Sequence, residues 1–195
     1  MFVPMTGEAE RARVVLPDGT KPSLLGGSFE HLSADSQAPE GWYYLRYAKV
    51  QTDRKAPDGE RVITFSNNVP GRNARALQAL AVDGRAVSAF DVSFWVRLRR
   101  VKAGGSGDQT PRLAIVFFGE DRTPLGEPAA VGGWTGTFDW RKATGTVNVP
   151  RDARMAIIWI GLLGATGEAS FDGVSLIPSL ANATAPVGPT TGTPK

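Results

Sequence analysis

Apolar side chains occupy every second position from residue 90 to residue 98, and this alternation limits the fold more than any other feature of the chain. Successive side chains of a β-strand point to opposite faces of the sheet, so a period of two predicts a strand with one buried face. A shift by one residue would bury the charged side chains that stand between the apolar ones. We therefore expect one set to point into the core together: Phe90, Val92, Phe94, Val96 and Leu98.

Short apolar runs separated by turn-forming residues continue over most of the chain. The sequence contains 23 glycines and 14 prolines, a composition typical of many short strands joined by tight turns. No run has the pattern of a convincing amphipathic helix, so the chain predicts an all-β sandwich or barrel. A long irregular loop is expected over residues 119–133. The predicted strands cover residues 24–30, 42–50, 61–66, 74–82, 90–99, 112–118, 153–163 and 169–177, with another inside 136–149 and a candidate at 11–16.

The length and the two ends of the chain predict one folded domain with loose termini. Its 195 residues, of which 42% are hydrophobic and 21% charged, are ordinary for a single globular domain with a sizeable core. We expect an N-terminal extension over residues 1–21, the sandwich domain over residues 22–178, and a linker over residues 179–195. The linker is rich in Ala, Thr, Pro and Gly and has a single charge, Lys195, so it is predicted to be disordered.

The composition argues against several classes of function. The chain has no cysteine and one histidine, His31, which excludes disulfides, cysteine nucleophiles and a zinc site built from several histidines. Its formal net charge is +3, and its one dense basic group is too short for a nucleic-acid binder. No apolar run approaches the roughly 20 residues that span a bilayer. We therefore expect neither a nucleic-acid partner nor a membrane span. The basic group consists of Arg97, Arg99, Arg100 and Lys102.

The outward face of the alternating strand carries residue types that bind sugars. Trp95 and Arg97 both stand on this face. An exposed indole stacks on the apolar face of a sugar ring, while a guanidinium donates hydrogen bonds to hydroxyl groups. Trp159 is predicted to join the same outer face, with Phe118 and Trp134 completing an aromatic platform for carbohydrate. The alternative is that loops cover these rings and all of them are core residues, since Trp is highly buried on average.

Short motifs follow one another in a fixed order along residues 24–178. They are Gly27-Ser28-Phe29-Glu30, Gly41-Trp42, Ala76-Leu77-Gln78, the strand at 90–97, Asp139-Trp140 with Val149-Pro150 and Ala153, and the closing Phe171-Asp172-Gly173-Val174. Together they resemble the galactose-binding-like jelly rolls, and among these the carbohydrate-binding modules of bacterial cellulases and xylanases. Two positions depart from that pattern, because Gly27-Ser28 stands where the modules have Asn-Gly and Gly173 replaces a second Asp. The resemblance implies a jelly-roll β-sandwich.

The same resemblance implies a non-catalytic carbohydrate-binding module within a larger exported protein that contains other domains. In the resembling modules, acids equivalent to Glu30 and Asp172 hold a structural calcium between the first and last strands. Calcium takes several hard oxygen ligands, which two carboxylates and backbone carbonyls can supply. The alternative is that both acids cap turns or face solvent. We expect an extracellular or periplasmic location. Residues 1–13 contain no continuous apolar stretch, so the signal peptide for export would lie upstream of this sequence or have been removed from it.

Two other functions remain open at this point. A structural or adhesion domain of the same fold would have no sugar site and would serve as a spacer or a protein-binding surface. A glycoside hydrolase would need two carboxylates that face each other across a cleft. The acids near a plausible cleft are Glu120, Asp121 and Asp139, and the first two are neighbours in a glycine-bounded turn, where acids are usually solvated. Trp42 and Trp140 are assigned to the structure rather than to a site.

Overall fold

The computed structural model describes residues 17–34 and 38–181 of the chain. These residues form ten β-strands and no helix. The strands are β1 (Tyr43–Arg46), β2 (Ala48–Thr52), β3 (Arg61–Asn67), β4 (Arg75–Ala81), β5 (Val87–Lys102), β6 (Arg112–Phe118), β7 (Ala129–Gly132), β8 (Gly136–Asn148), β9 (Met155–Gly161) and β10 (Thr166–Leu180). Over the same residues, no helix is present that could cross a membrane.

The strands form two five-stranded antiparallel sheets whose inner faces enclose the core. Sheet I has the strand order β1-β4-β9-β6-β7, and sheet II has the order β2-β3-β10-β5-β8. The chain passes repeatedly between the two sheets, so neighbours within a sheet are mostly distant in sequence. This arrangement confirms the predicted all-β jelly-roll sandwich.

Strand β5 has the register that its alternation predicts. At most 2% of the surface of each predicted inward side chain is exposed: Phe90, Val92, Phe94, Val96 and Leu98. The Phe94 ring packs against Phe171 of β10, with their centroids 5.7 Å apart. β5 pairs with β10 on one side and with β8 on the other. Its outward side chains therefore have a neighbouring strand on both sides in the outer face of sheet II.

Residues 24–30, predicted to be a strand, form a turn instead. Gly26 and Phe29 have φ angles of +57° and +60°, and the Phe29 N–H donates to the Gly26 carbonyl at 3.2 Å. The Gln78 side chain accepts a hydrogen bond from the Leu25 N–H at 2.8 Å and donates one to the Leu25 carbonyl at 2.9 Å. A buried amide thus takes the place of a neighbouring strand, and the segment is anchored without extending either sheet.

The predicted strand at residues 42–50 is two strands that belong to different sheets. β1 pairs with β4 in sheet I, whereas β2 pairs with β3 in sheet II. Tyr47 separates them with a φ of +53°, a left-handed conformation that is uncommon for a bulky residue. This single residue turns the chain from one sheet to the other.

The remaining predicted strands between residues 61 and 177 are present with somewhat different ends, and one strand, β7, was not predicted. Residues 74–82 contain β4, which pairs with β1 and β9, although their composition would also suit a helix. The predicted loop at 119–133 contains β7, which pairs with β6. β10 continues to Leu180, two residues beyond the predicted end of the domain. The candidate strand at 11–16 and residues 182–195 of the predicted linker lie outside the described residues.

Candidate functional site

A row of hydrogen-bonding side chains crosses the outer face of sheet II. In the register of the sheet, Thr64 of β3 stands opposite Ser170 of β10, which in turn stands opposite Arg97 of β5. The Thr64 and Ser170 hydroxyl oxygens are 2.8 Å apart, and the Gln51 amide donates to the Thr64 hydroxyl at 3.3 Å. Polar side chains occur at alternate positions here because the intervening side chains fill the core.

Arg97 is largely buried in this face, with 7% of its surface exposed. Its Nη1 lies 2.6 Å from Oδ2 of Asp53, and its guanidinium carbon lies 4.6 Å from the centre of the Trp140 ring. Its Nε is also buried, and no atom of the described residues accepts a hydrogen bond from it. An ion pair and a stacked ring therefore hold Arg97 in place, while its buried Nε–H has no acceptor among the described residues.

Asp53 stays ionised beside Arg97. Burial is the largest single influence and opposes its charge, but hydrogen bonds from the Lys55 backbone N–H and the Arg97 guanidinium act in the other direction. Together with the positive charges of Arg97 and Arg99, they hold the pKa of the Asp53 carboxyl below its usual value. The pair is therefore a fixed charge arrangement near neutral pH rather than a proton donor.

An open cleft with a volume of about 1580 Å³ lies over this face. Its lining comes from β2, from the loop between β2 and β3, and from the parts of β3, β5, β8 and β10 that meet at one end of sheet II. Its lining includes Tyr47, Asp53, Arg72, Arg97, Arg99 and Phe138. We refer to this space as the cleft.

Tyr47 supplies an exposed aromatic ring at the cleft. The corner between β1 and β2 is formed by this residue, and 52% of its surface is exposed. The Arg72 guanidinium lies 4.9 Å from the centre of the ring, so one cation already packs against it. Sequence reasoning missed Tyr47 because the segment 42–50 was interpreted as one continuous strand. Its only signal was the presence of aromatic residues on both faces of that predicted strand.

The structure does not bring the predicted sugar-binding residues together. Trp95 and Arg97 share the outer face of sheet II, but Trp95 is half-buried and lies outside the cleft lining. Its Cδ1 is 3.3 Å from the position that a Cβ on Gly173 would take. Trp159 and Phe118 lie on β9 and β6 of sheet I, so their outward faces point away from the cleft.

Trp134 belongs to neither outer face. It packs against the core, with its ring 6.4 Å from Phe94 and 6.3 Å from Phe138 between centroids. Alternation along a strand predicts which side chains point inward, but it does not assign the strand to a sheet. For this reason the proposed platform of Trp95, Trp159, Phe118 and Trp134 is divided among three places in the fold.

The two tryptophans that were assigned to the structure have different environments. Trp42 is a core residue with 2% of its surface exposed, and its ring packs 5.8 Å from Phe29. Trp140 is half-buried and stacks with Arg97. Its Nε1 is buried without a hydrogen-bond partner in the described part of the chain. Trp140 therefore supports the floor of the cleft rather than the core.

Glu30 and Asp172 hold the same loop between β2 and β3. The Glu30 carboxylate accepts hydrogen bonds from the backbone N–H groups of Glu60 and Arg61, at 2.8 and 2.7 Å. The Asp172 carboxylate accepts from the Asp58 N–H at 2.8 Å and from the Gly173 N–H at 2.7 Å. Both predicted metal ligands therefore fix the loop that forms one wall of the cleft.

Asp172 is fully buried and lies near two other acids. Burial is the main cause that raises the pKa of its carboxyl to about 7, and the negative charges of Asp58 and Glu30 add to this effect. The hydrogen bonds from Asp58 and Gly173 act in the opposite direction. Within residues 17–34 and 38–181, no group of three or more His, Cys, Asp or Glu side chains is arranged to hold a metal. A cation between Glu30 and Asp172 would fit the local charge, but it would need carbonyl or water oxygens as further ligands.

The acids considered for catalysis do not form a facing pair. Asp139 lines the cleft, where its carboxylate lies 3.7 Å from the Lys55 ammonium. Asp121 accepts hydrogen bonds from the Thr123 N–H and hydroxyl, at 3.1 and 2.7 Å, which lower the pKa of its carboxyl. Glu120 lines a different depression, beside Arg85 and Arg154.

Comparison with known proteins shows similarity of fold rather than of sequence. No family model matches the chain, and no curated protein matches it in sequence. The chain is similar to the enzymatically active domain of tailspike protein 4 from bacteriophage CBA120, with a TM-score of 0.53 and 16% identity over 79% of this chain. It spans only 20% of that tailspike chain.

Two shorter structures are matched over nearly their whole length. One is the CBM22-1 xylan-binding domain from Paenibacillus barcinonensis Xyn10C, with a TM-score of 0.50 and 13% identity over 85% of this chain and 97% of that domain. The other is a xylan-binding domain from CBM 22, with a TM-score of 0.50 and 17% identity over 78% of this chain and 95% of that domain. These likenesses show that the chain has the jelly-roll fold of carbohydrate-binding modules.

Proposed function

We propose that this chain is a non-catalytic carbohydrate-binding domain whose polysaccharide ligand lies in the cleft. The observation that carries the proposal is the cleft itself, an open space of about 1580 Å³ on the outer face of sheet II with an exposed tyrosine ring in its lining. Support also comes from the two xylan-binding domains of the same fold, which this chain matches over nearly their whole length.

The cleft combines the two kinds of contact that hold a sugar. The Tyr47 ring offers an apolar face for stacking, and planar polar groups offer hydrogen bonds to hydroxyls. The planar groups that line the cleft include the amides of Gln51 and Asn68 and the guanidinium of Arg99. Trp95 lies on the same face outside this lining, so we assign the stacking role to Tyr47 and treat Trp95 as the competing platform.

The charges in the cleft favour binding over hydrolysis. Each acid of the lining lies beside a cation: Asp53 beside Arg97, Asp139 beside Lys55, and Glu168 beside Arg99. A glycosidase needs one carboxylic acid that stays protonated near neutral pH. The pKa of Asp53 is lowered instead, and the one raised carboxyl among the described residues, Asp172, lies outside the cleft lining.

We further propose that Glu30 and Asp172 bind a structural calcium ion. Both carboxylates accept hydrogen bonds from the loop between β2 and β3, and that of Asp172 is fully buried. Together they form a local excess of negative charge that a hard cation would neutralise. The ion would tie the segment before β1, the loop between β2 and β3, and β10 together. It would act on stability and on the position of the cleft wall, without contact to the sugar.

The cellular context follows from this function. A binding domain of this size brings a larger enzyme or surface protein to its polysaccharide, so we propose that the domain works beside other domains of an exported, extracellular or periplasmic protein. The tailspike, of which this fold makes up about a fifth, shows the fold as one part of a longer chain.

Replacing Tyr47 tests the binding site. Tyr47→Ala should weaken retention on the bound polysaccharide by about tenfold or more, because a lost stacking surface removes apolar contact worth roughly 1–3 kcal/mol. The measurement is affinity electrophoresis or isothermal titration after a screen of soluble and insoluble polysaccharides. The melting temperature should change little, since the ring is exposed.

Tyr44→Ala is the matched control. Tyr44 has nearly the same backbone conformation, with a φ of +51° against +53° for Tyr47, and 68% of its surface is exposed. It belongs to β1 of sheet I and does not line the cleft. Equal losses for both variants would remove the cleft from the binding site. Loss of binding in Trp95→Ala alone would make Trp95 the platform, and a wild-type protein that binds no glycan would favour a spacer or protein-binding domain.

A further inference from the structure

We propose that the ligand of the cleft is an acidic polysaccharide, whose sugar units carry carboxylate or sulfate groups; this inference rests on the proposed function. Seven basic and three acidic side chains line the cleft, whereas the whole chain has a formal net charge of only +3. The excess positive charge of the protein is therefore concentrated at its candidate binding site. A neutral glycan would gain nothing from this concentration.

Four of these cations have no carboxylate partner within residues 17–34 and 38–181. Arg97, Arg99 and Lys55 each form an ion pair with an acid of the lining. Among the residues that the structure describes, the other basic side chains of the cleft form no ion pair, and all of them are exposed. They are Arg54, Arg72, Arg100 and Lys102.

One of the unpaired cations packs against the Tyr47 ring, and two others stand in the same cleft lining on β5, which two strands separate from β2. The first of these is Arg72. Arg100 and Lys102 stand at the end of β5 that pairs with the start of β10, around Thr166 and Gly167. Gly167 in turn pairs with Asn67, whose neighbour Ser66 donates its N–H to the Tyr47 carbonyl at 3.0 Å. A sugar ring stacked on Tyr47 would thus lie beside one cation, with two more in the same cleft.

Arg97 adds an independent indication in the middle of the cleft. Its Nε–H is buried and has no acceptor among the described residues, although buried donors are nearly always paired. Its single ion pair with Asp53 uses Nη1. A ligand oxygen that reached this position would accept a hydrogen bond from the Arg97 Nε–H, and an anionic oxygen would form the strongest such bond.

The same charges could attract a nucleic acid, but the rest of the cleft favours a glycan. Proteins that bind single-stranded nucleic acids stack successive bases on several aromatic rings along a continuous basic groove. Here one strongly exposed ring, Tyr47, lines the cleft, and three carboxylates interrupt the basic groups: Asp53, Asp139 and Glu168. Within the described residues, the lining therefore offers one strongly exposed ring for stacking rather than the row of rings that successive bases need.

Pairs of polymers that differ only in charge test the inference. Polygalacturonate would be compared with its methyl ester, glucuronoxylan with its carboxyl-reduced form, and dextran sulfate with dextran. We expect at least one acidic polymer to bind at least tenfold more tightly than its neutral counterpart. Preference for the carboxylate polymers or for dextran sulfate identifies the acidic group. Raising the ionic strength from about 0.01 M to about 1 M should weaken this binding, because the Debye length falls from roughly 30 Å to roughly 3 Å.

A charge-matched pair of variants locates the effect. The double variant Arg100→Gln and Lys102→Gln should bind the acidic polymer about tenfold more weakly, because two charges at the binding site are lost. The control is Lys21→Gln with Arg151→Gln, which removes the same charge at the opposite end of β5. Arg151 approaches Gly84, and Gly19, two residues before Lys21, approaches Val82 and Asp83, just before β5 begins. Circular dichroism and melting temperature would verify that both double variants are folded.

The outcomes separate this inference from the function on which it rests. Equal, salt-independent binding of a polymer and its neutral counterpart would overturn the acidic ligand and leave the carbohydrate-binding function intact. Equal losses in the two double variants would overturn the assignment to the cleft. Binding of a single-stranded DNA oligonucleotide as tight as that of the best acidic polymer would replace the glycan by a nucleic acid. Failure to bind any glycan would overturn both proposals.

Discussion

At the scale of single residues, the pair of Arg97 and Asp53 has the greatest influence on the cleft. Both side chains are mostly buried, with 8% and 15% of their surfaces exposed, and their charged atoms are 2.6 Å apart. A buried charge that loses its partner is much more costly than an exposed one. The pair therefore links the loop between β2 and β3 to β5, which forms part of the floor of the cleft. The contact of Arg97 with Trp140 extends this link to β8.

Removal of the Asp53 charge should destabilise the fold. Asp53→Asn leaves the Arg97 guanidinium buried without its counter-charge, and we expect the free energy of unfolding to fall by about 3 kcal/mol. Urea denaturation at neutral pH measures the change. The control is Asp139→Asn. The Asp139 side chain is 66% exposed and that of its partner Lys55 is 73% exposed, so this ion pair should contribute less than about 1 kcal/mol. Similar losses in the two variants would show that burial does not distinguish these ion pairs.

The core position of Phe94 leads to a second expectation at this scale. Phe94 is fully buried and its ring contacts those of Phe171 and Trp134. Phe94→Ala should lower the free energy of unfolding by roughly 3–5 kcal/mol through lost burial and a cavity. Phe118→Ala, on the half-buried outer side of β6, should cost clearly less in the same denaturation experiment. A mild Phe94→Ala would contradict the register of β5, and a severe Phe118→Ala would contradict the outward position of Phe118 on β6.

At the scale of elements, the loop between β2 and β3 connects stability to binding. Its residues are held by the Glu30 and Asp172 carboxylates at one side and by the Arg97 ion pair at the other. Gly173 has a φ of +54° and approaches Asp58 so closely that a Cβ there would lie 3.3 Å from the Asp58 Cβ. A side chain at this position would require Asp58 or Trp95 to shift by a few tenths of an ångström, and the positive φ would strain any residue other than glycine.

The raised pKa of Asp172 predicts a specific dependence of stability on pH. Its carboxyl has an ordinary pKa of 3.8 when unfolded and about 7 in the folded protein. The folded state therefore binds more protons between these values, so its stability falls as the pH rises from about 4 to about 7. Denaturation in a chelating buffer across this range measures the effect, and Asp172→Asn should remove that part of the slope.

Calcium should oppose this loss of stability. If Glu30 and Asp172 bind the ion, saturating calcium raises the melting temperature by mass action. This increase should be larger at pH 7 than at pH 5, because calcium and protons compete for the same carboxylates. Asp172→Asn should abolish most of the increase. Equal melting temperatures in calcium and in chelator would remove the calcium site, and an unchanged slope in Asp172→Asn would assign the pH dependence to other groups.

At the scale of the whole molecule, the sandwich separates the two outer faces by the thickness of the core. The outer face of sheet II bears the polar row and the cleft, while the outer face of sheet I bears apolar side chains such as Leu77, Ile157 and Trp159. The cleft collects its residues from distant parts of the chain, since Tyr47, Arg97 and Glu168 come from three segments that only the sheet brings together. Exposed residues of the cleft, such as Tyr47, can therefore be changed with little effect on the core, whereas the buried pair of Arg97 and Asp53 couples the cleft to stability.

The sequence alone was sufficient for the class of fold and for the inward side of its strands. Strand β5 alternates with a period of two, a local property that depends only on the geometry of extended backbone. The same holds for Ala156, Ile158 and Ile160 of β9, which are fully buried while Trp159 points outward. Glycine and proline mark most of the turns because they restrict or permit particular backbone angles in any context.

Only the tertiary structure decided which outward residues share a surface. Trp95 and Trp159 both point out of their sheets, but strand order places them on opposite sides of the molecule, and no local pattern encodes strand order. The corner at Tyr47 and the pairing of Leu25 with the Gln78 side chain likewise depend on contacts between distant segments. The cleft is made of such contacts, so sequence reasoning placed Arg97 on an outer face but could not place Tyr47 or Asp53 beside it. A period of two distinguishes the inside from the outside of a sheet, whereas a binding site depends on which strands become neighbours.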